Sequence, residues 1–315
     1  MLPITGTFLD EISHDIPHQN WGPKEWDADF AHMKNMGIDT VILIRCGYRR
    51  WQTFPSTYLT QNEGSYTPPL DLVQLFLELA QKYGLSFFFG LYDSGKYWWD
   101  HGNFQKEIEV NLHVIDEVWE RYGHMPAFKG WYLCQEVSRK TGKIIDLYKR
   151  LGQHCKAVSN NLPTLISPYI DGKKALLSSK AALAKEESIS LAQHQKEWSE
   201  ILDGIKEVVD ILAFQDGHVD LHELADYFAI NKALADQFGM RCWTNAESFD
   251  RDMPIKFLPI KWEKLRIKLQ AAQRAGLEKA ITFEFSHFMS PQSAYPQAHH
   301  LFNRYRETQS ALREF

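Results

Sequence analysis

Two glutamates stand where an apolar, aromatic-rich run of the chain stops: Glu136 closes FKGWYLCQE and Glu247 closes RCWTNAE. Each has an amide side chain one or two positions before it, Gln135 and Asn245. Two carboxylates across one opening are what glycoside hydrolysis needs. One is held protonated to donate to the leaving oxygen, and the other is ionised to attack or stabilise the anomeric carbon. The expectation is a retaining pair about 5 to 5.5 Å apart; a gap of about 6.5 to 9.5 Å would imply inversion through a water. The plainer reading of either glutamate is an ion pair with a neighbouring arginine such as Arg45.

Other acids end similar runs: Asp10 and Glu11, Asp93, and Asp216 after Gln215. Glu284 lies late in KAITFEF and is the rival for the second carboxylate. In a strand, side chains alternate between faces, so Glu284 shares a face with Thr282 and Ser286, while Phe283, Phe285 and His287 share the other. A charge among packed helices is costly, which points the Glu284 face inward, where it binds hydroxyls as a third acid. The same alternation puts Trp243, Asn245 and Glu247 on one inward stripe, and that grouping ranks Glu247 above Glu284.

Sugar rings stack their apolar faces on aromatic side chains. Trp51, Tyr92, Tyr97, Trp98, Trp99, Tyr169 and Trp243 lie at or just beyond run ends, and of these Trp98 and Trp99, in the polar loop GKYWWDHGN, are the best platforms. Aromatics at such positions also serve as core. A glycosidase of this kind calls for no metal and no cofactor. The competing reading is a metal-dependent sugar isomerase or epimerase, with Glu136, Asp216, His218, Glu247 or His287 holding Mn²⁺, Mg²⁺ or Zn²⁺. A third is a carbohydrate-binding barrel without turnover. No GxSxG elbow is present for a serine hydrolase. Lys129 and Lys279 lie near the starts of their runs, whereas a Schiff-base lysine belongs at an end.

The elements that must position these groups follow from hydrophobic periodicity. Eight strand-length apolar runs begin near Ile4, Thr40, Leu85, Phe128, Pro163, Asp210, Arg241 and Lys279, and longer segments with helical spacing alternate with them. Trp26, Phe30, Met33 and Met36 form one helix face, and Leu72, Leu75, Phe76 and Leu79 another. Gly37, Gly84, Gly239 and Gly276 precede strands, where a left-handed residue closes a helix. Alternating β and α units in this number predict a single (β/α)₈ barrel over residues 1–315, with its site at the C-terminal ends of the strands. No GxGxxG turn follows the first strand, which argues against a doubly wound sheet. One connection is long: about 171–195, rich in helix formers, reads as a helical insertion after the fifth strand that either shapes the pocket or is a solvated extra helix.

With 315 residues, 44% hydrophobic and 24% charged, the chain can bury a sizeable core. A formal net charge of -5 without a basic face makes nucleic acid an unexpected partner. No run is long enough to span a bilayer, and no basic-then-apolar leader opens the chain. A cytoplasmic location is expected, or a periplasmic or secreted one if a signal peptide has been removed. Cys46, Cys134, Cys155 and Cys242 lack metal-site spacing and read as reduced thiols.

The strand-four sequence GWYLCQE and a strand-seven run ending in glutamate resemble the large clan of retaining glycosidase barrels. That resemblance implies an acid/base after strand four, Glu136, and a nucleophile after strand seven, Glu247, with Asn245, Arg45 and Asp216 in support. The clan's strand-four motif reads Asn-Glu; Gln135 here is one carbon longer than the amide that contacts the sugar 2-hydroxyl. ITGTFLD, the Trp26 to Gly37 helix, GWYLCQE and ILAFQDG together are similar to the bacterial family catalogued as domain of unknown function 4434, itself similar to glycoside hydrolase barrels. Phe214 replaces that family's usual proline before Gln215.

Overall fold

The computed structural model describes residues 1–13, 16–172, 189–251 and 257–313. Its centre is a closed barrel of eight strands: β1 Ile4–Leu9, β2 Thr40–Leu43, β3 Ser86–Gly90, β4 Phe128–Tyr132, β5 Thr164–Ile166, β6 Ile211–Gln215, β7 Arg241–Asn245 and β8 Lys279–Thr282. Each pairs in parallel with its sequence neighbours, and β1 closes on β8 through Ile4 with Ala280 and Thr7 with Thr282. Helices follow the strands: α1 Pro23–Met36, α2 Leu72–Tyr83, α3 Phe104–Tyr122, α4 Ile144–Val158, α5 Leu191–Ile205, α6 Leu224–Phe238, α7 Trp262–Arg274 and α8 Pro296–Arg313. The predicted barrel is the observed fold. Among the described residues, no helix is long and apolar enough to cross a membrane.

The strands end earlier than their apolar runs. Thr40 to Tyr48 reads as one strand in sequence, but the barrel pairing of β2 stops at Leu43. Gly47–Tyr48 then pairs antiparallel with Trp51–Gln52 and parallel with Tyr92–Asp93, making a small three-stranded sheet above the barrel. The run from Leu85 to Asp93 is divided in the same way, after Gly90.

Large rings fill the barrel. Phe8 meets Tyr132 edge-on at 5.2 Å, and lower down Phe88 meets Trp243 at 6.4 Å. Gly130 makes room for Phe88, because a β-carbon there would lie 2.3 Å from its ring. The outward faces of β3 and β4 bury Phe89, Phe128 and Trp131 against Trp119 of α3. Trp26, Phe30, Met33 and Met36 of α1 are all buried as expected; on α2 the buried stripe runs through Val73, Phe76, Leu77 and Leu79, leaving Leu72 and Leu75 at its margin. Gly37, Gly84, Gly239 and Gly276 have φ of 98°, 63°, 71° and 73°, the left-handed conformation that closes a helix. All four cysteines are free and buried. Of the expected insertion, residues 173–188 lie outside the described residues.

The tightest backbone approach is at Gly90, where a β-carbon would lie 2.0 Å from the Leu43 carbonyl oxygen and 2.7 Å from that of Ile44. Neither oxygen can yield without opening the β2–β3 seam. Gly90→Ala is therefore expected to destabilise the fold by about 3 kcal/mol or more. Gly239→Ala meets open space and only a left-handed penalty, and should cost about 1 kcal/mol. Denaturant unfolding of both variants checks the order; equal losses would contradict it.

Candidate active site

Four residues beyond the end of β4, Glu136 reaches the barrel mouth. Tyr132 donates its hydroxyl to Glu136 Oε1 at 2.6 Å, and the Gln215 side chain at the end of β6 also bonds to it. Burial raises the Glu136 pKa above the usual carboxylate range, and Arg45 and these two hydrogen bonds only partly oppose it. Arg45, just past β2, is meanwhile engaged by Asp93 at 3.2 Å.

Glu247 stands two residues beyond β7 and is 2% exposed. Burial favours its neutral form, but the Arg251 guanidinium, with Lys268 and His218 adding to it, more than offsets this, so its pKa is lowered. Arg251 grips both carboxylate oxygens, Nε to Oε2 and Nη2 to Oε1, each at 2.8 Å. Gly217 lies directly behind: a β-carbon there would sit 1.7 Å from Glu247 Oε2. Beneath is a second, fully interior pair. Lys268 of α7 donates to Asp216 Oδ1 at 2.7 Å and to the Glu247 carbonyl at 3.1 Å, and Asp216 Oδ1 accepts the Glu247 backbone N–H.

The two glutamates line one small chamber of about 80 Å³. Arg45, Arg251, Gln215, Asn245 and Ser13 supply the rest of its polar wall, and Ile16, Ile44, Phe249, Phe257 and Phe283 its apolar wall. Beyond Glu136 and Arg45 the mouth widens into a cleft of about 470 Å³, bordered by Tyr48, Asp93, Trp98, Trp99 and Tyr169. Trp98 is fixed by its indole N–H on Asp93 Oδ1 at 3.0 Å, and Trp99, 60% exposed, stands edge-on to it.

Several expected contacts with substrate are corrected. Gln135 turns outward from the mouth and donates to the Tyr92 carbonyl and to Glu107 of α3, because a buried amide needs partners and the helical layer supplies them. Tyr92 is core, its hydroxyl spent on the Arg49 carbonyl. Trp243 faces inward as expected but lies deep, between Phe88 and the cations of Arg241 and Lys279. Trp51 packs on Tyr66 and borders neither space. Asp216 supports Glu247 from below; His218 keeps a place beside the mouth, packing edge-on against Tyr169 of the cleft and favouring the ionised form of Glu247. Glu284 does not enter the chamber: the strand ends at Thr282, and Glu284 caps a short helix, Phe285–Phe288, accepting the Ser286 and His287 backbone N–H groups.

His287 lies beside Glu284, not in the site. Its Nδ1 meets Glu284 Oε1 and its Nε2 the Pro17 carbonyl, both at 2.6 Å. Two acceptors require two ring protons. Burial opposes the charge, but Glu284 outweighs it, and the His287 pKa rises to about 9. Nearby, burial lifts both Glu11 and Asp29 to about 7. The sequence reading missed Asp29 and Lys268. Each occupies a buried stripe position on its helix, Asp29 between Trp26 and Phe30, and Lys268 between Leu265 and Leu269. Nor do the ligands expected of an isomerase draw together: among the described residues, three metal-binding side chains come within 4.8 Å only at Asp220, His222 and Glu223, in the loop after β6.

A closed parallel barrel of eight strands flanked by helices is a (β/α)₈ barrel, the fold on which glycoside hydrolases among its structural neighbours are built. The chain belongs to the family described as domain of unknown function DUF4434, whose model matches residues 4–295. It is similar to a Bacteroides thetaiotaomicron VPI-5482 protein described as a "putative alpha-L-fucosidase", at 63% identity over 97% of this chain and 92% of that one, with a TM-score of 0.92. The fold is also that of an endo-1,4-beta-D-mannanase from Thermotoga petrophila RKU-1, at 11% identity over 97% and 99% of the two chains and a TM-score of 0.58. An intracellular xylanase from Thermoanaerobacterium saccharolyticum shares it as well, at 13% identity over 90% and 85%, with a TM-score of 0.52. Curated proteins yield no match.

Two outcomes follow from the buried charges. Lys268→Met leaves Asp216 interior and unpaired and should cost about 3–5 kcal/mol, whereas Lys268→Met with Asp216→Asn should recover a large part of that loss. A double-mutant cycle on unfolding free energies measures this, and strict additivity would contradict the coupling. For His287 the folded pKa is raised, so its stabilisation is complete below 6.5 and lost as pH rises through about 9. The stability gap between the wild type and His287→Gln should accordingly be widest near pH 6 and narrow by pH 10.

Proposed function

We propose that this protein is a retaining glycoside hydrolase in which Glu136 is the acid/base and Glu247 the nucleophile. The observation that carries the reading is that the two glutamates share one chamber in opposed surroundings. Glu136 is desolvated and only partly compensated, while Glu247 is clamped by a guanidinium. In the first step Glu136 gives its proton to the glycosidic oxygen as that oxygen's bond to the anomeric carbon breaks, and a Glu247 oxygen bonds to that carbon. In the second, Glu136 takes a proton from water, the hydroxyl displaces Glu247, and the sugar leaves with the acid restored. Asn245 and Arg45 are placed to bind ring hydroxyls, and Trp98, Trp99 and Tyr169 to receive the rest of the substrate. Asp93 holds Arg45 and Trp98 in place, and Gln215 orients Glu136. The description of the Bacteroides relative makes aryl α-L-fucosides the first substrates to assay.

The test is chemical rescue. Glu136→Ala should lose a factor of about 10²–10⁴ on poor leaving groups, retain more activity on activated aryl glycosides, and be accelerated by azide. Glu247→Ala should lose activity on both. Because catalysis needs Glu247 ionised and Glu136 protonated, kcat/KM should fall on the acid side below the ordinary glutamate range and on the alkaline side above it. Glu136→Gln should erase the alkaline limb. Azide rescue confined to Glu247→Ala would exchange the roles, and full activity in either alanine variant would sink the assignment.

A further inference from the structure

Glu136 and Arg45 are the residues shared by two spaces of very different size. On one side is the chamber of about 80 Å³ that also holds Glu247, and on the other the cleft of about 470 Å³. At roughly 10–15 Å³ per water, the chamber takes about six waters, the displacement of one sugar ring and not of a chain. Three residues that line it carry buried hydrogen-bonding atoms with no partner among the described residues: Asn245 Oδ1, Ser13 Oγ and Arg45 Nε. These are an acceptor, a hydroxyl and a cationic donor, and Asn245 is 2% exposed. Buried polar groups are ordinarily satisfied, so a set of three around one chamber points to a polyhydroxylated ligand that satisfies them. The cleft differs in kind. Its border carries an exposed indole, Trp99, beside Trp98 and Tyr169, and it opens to solvent.

A proton donor must stand between the sugar whose anomeric carbon is attacked and the group that departs. Glu247 belongs to the chamber alone, and Glu136 stands at the junction. We infer that the mouth has a fixed polarity: the chamber takes a single terminal sugar, the cleft takes the leaving group, and the enzyme removes sugars one at a time from chain ends. This rests on the assignment of Glu136 and Glu247 given above. It goes further in naming the substrate class, a terminal glycoside whose leaving group is long enough to lie on Trp99. An enzyme that cuts within chains needs an open run of subsites on both sides of the acid, and the apolar wall of Phe249, Phe257 and Phe283 closes one side here.

The experiment uses the full chain and a panel of 4-nitrophenyl glycosides of hexoses, deoxyhexoses, pentoses and uronic acids in both anomers, followed by oligosaccharides and the glycosyl fluoride of the sugar released. The early products should be monosaccharides alone. Trp99→Ala should raise KM for an oligosaccharide about tenfold more than for the glycosyl fluoride, whose leaving group does not span the cleft. Asn245→Ala should raise both KM values by a similar factor. Internal fragments among the first products, or a larger effect of Trp99→Ala on the fluoride than on the oligosaccharide, would overturn the polarity while leaving the two-glutamate reading intact. Absence of hydrolysis across the whole panel would remove that reading and this inference together.

Discussion

A carboxylate withdrawn from water stays an anion only if positive charge or several donors stand against it, and the chemistry available at this barrel mouth depends on where such partners are placed. Coulomb attraction at 3 Å strengthens as water is excluded, but so does the cost of taking each charge out of water. Glu247 has Arg251 on both oxygens and Lys268 beneath its carbonyl, and its proton is held off. Glu136 has neutral donors in contact and an arginine already engaged by Asp93, and it retains its proton further up the pH scale. The same barrel end thus shifts two identical side chains in opposite directions.

That constraint extends below the mouth. Lys268 is a cation on a helix whose partners otherwise pack apolar surface, and it reaches inward because Asp216 needs a counter-charge there. Two strands further round the barrel, past β7, Glu284 and His287 form an interior ion pair that ties the end of β8 to the segment holding Pro17. Each pair adds little net stability against an apolar replacement of both partners, but loss of one member leaves a bare interior charge. Such pairs fix which arrangement of loops is tolerable, and thereby where the chamber walls stand.

The sequence revealed the barrel because strand and helix periods differ and alternated cleanly, and it led to Glu136, Glu247, Asn245 and Arg45 as residues of the mouth because strand ends line the mouth of such a barrel. Where the reading failed, the reason is geometric. Alternation gives a face but no height, so Trp243 was taken for a platform although it lies a layer too deep. Alternation also holds only while the strand lasts, and Glu284 lies beyond Thr282, where capping of a short helix decides its direction. Gln135 was read by analogy with a shorter amide, and its extra reach carries it to Glu107. Lys268 and Asp29 did leave a trace: a charge inside an apolar i, i+3, i+4 stripe is a misfit that calls for an interior partner. Recognising that partner required knowing which strand end lay opposite.

The small sheet that joins Gly47–Tyr48 to Trp51–Gln52 and Tyr92–Asp93 divides the rim into two halves built from separate loops. The half it braces carries Arg45, Asp93 and Trp98, all from the loops after β2 and β3. The other half, with Glu247, Phe249 and Phe257, is built after β7. Because no backbone ladder runs between these halves among the described residues, a substitution on one need not disturb the register of the other. A lineage carrying this barrel is free to exchange the wall beside Trp98 while inheriting the wall beside Glu247 unchanged. Divergence among its members is accordingly expected to be lopsided, concentrated in one half of the rim at a time.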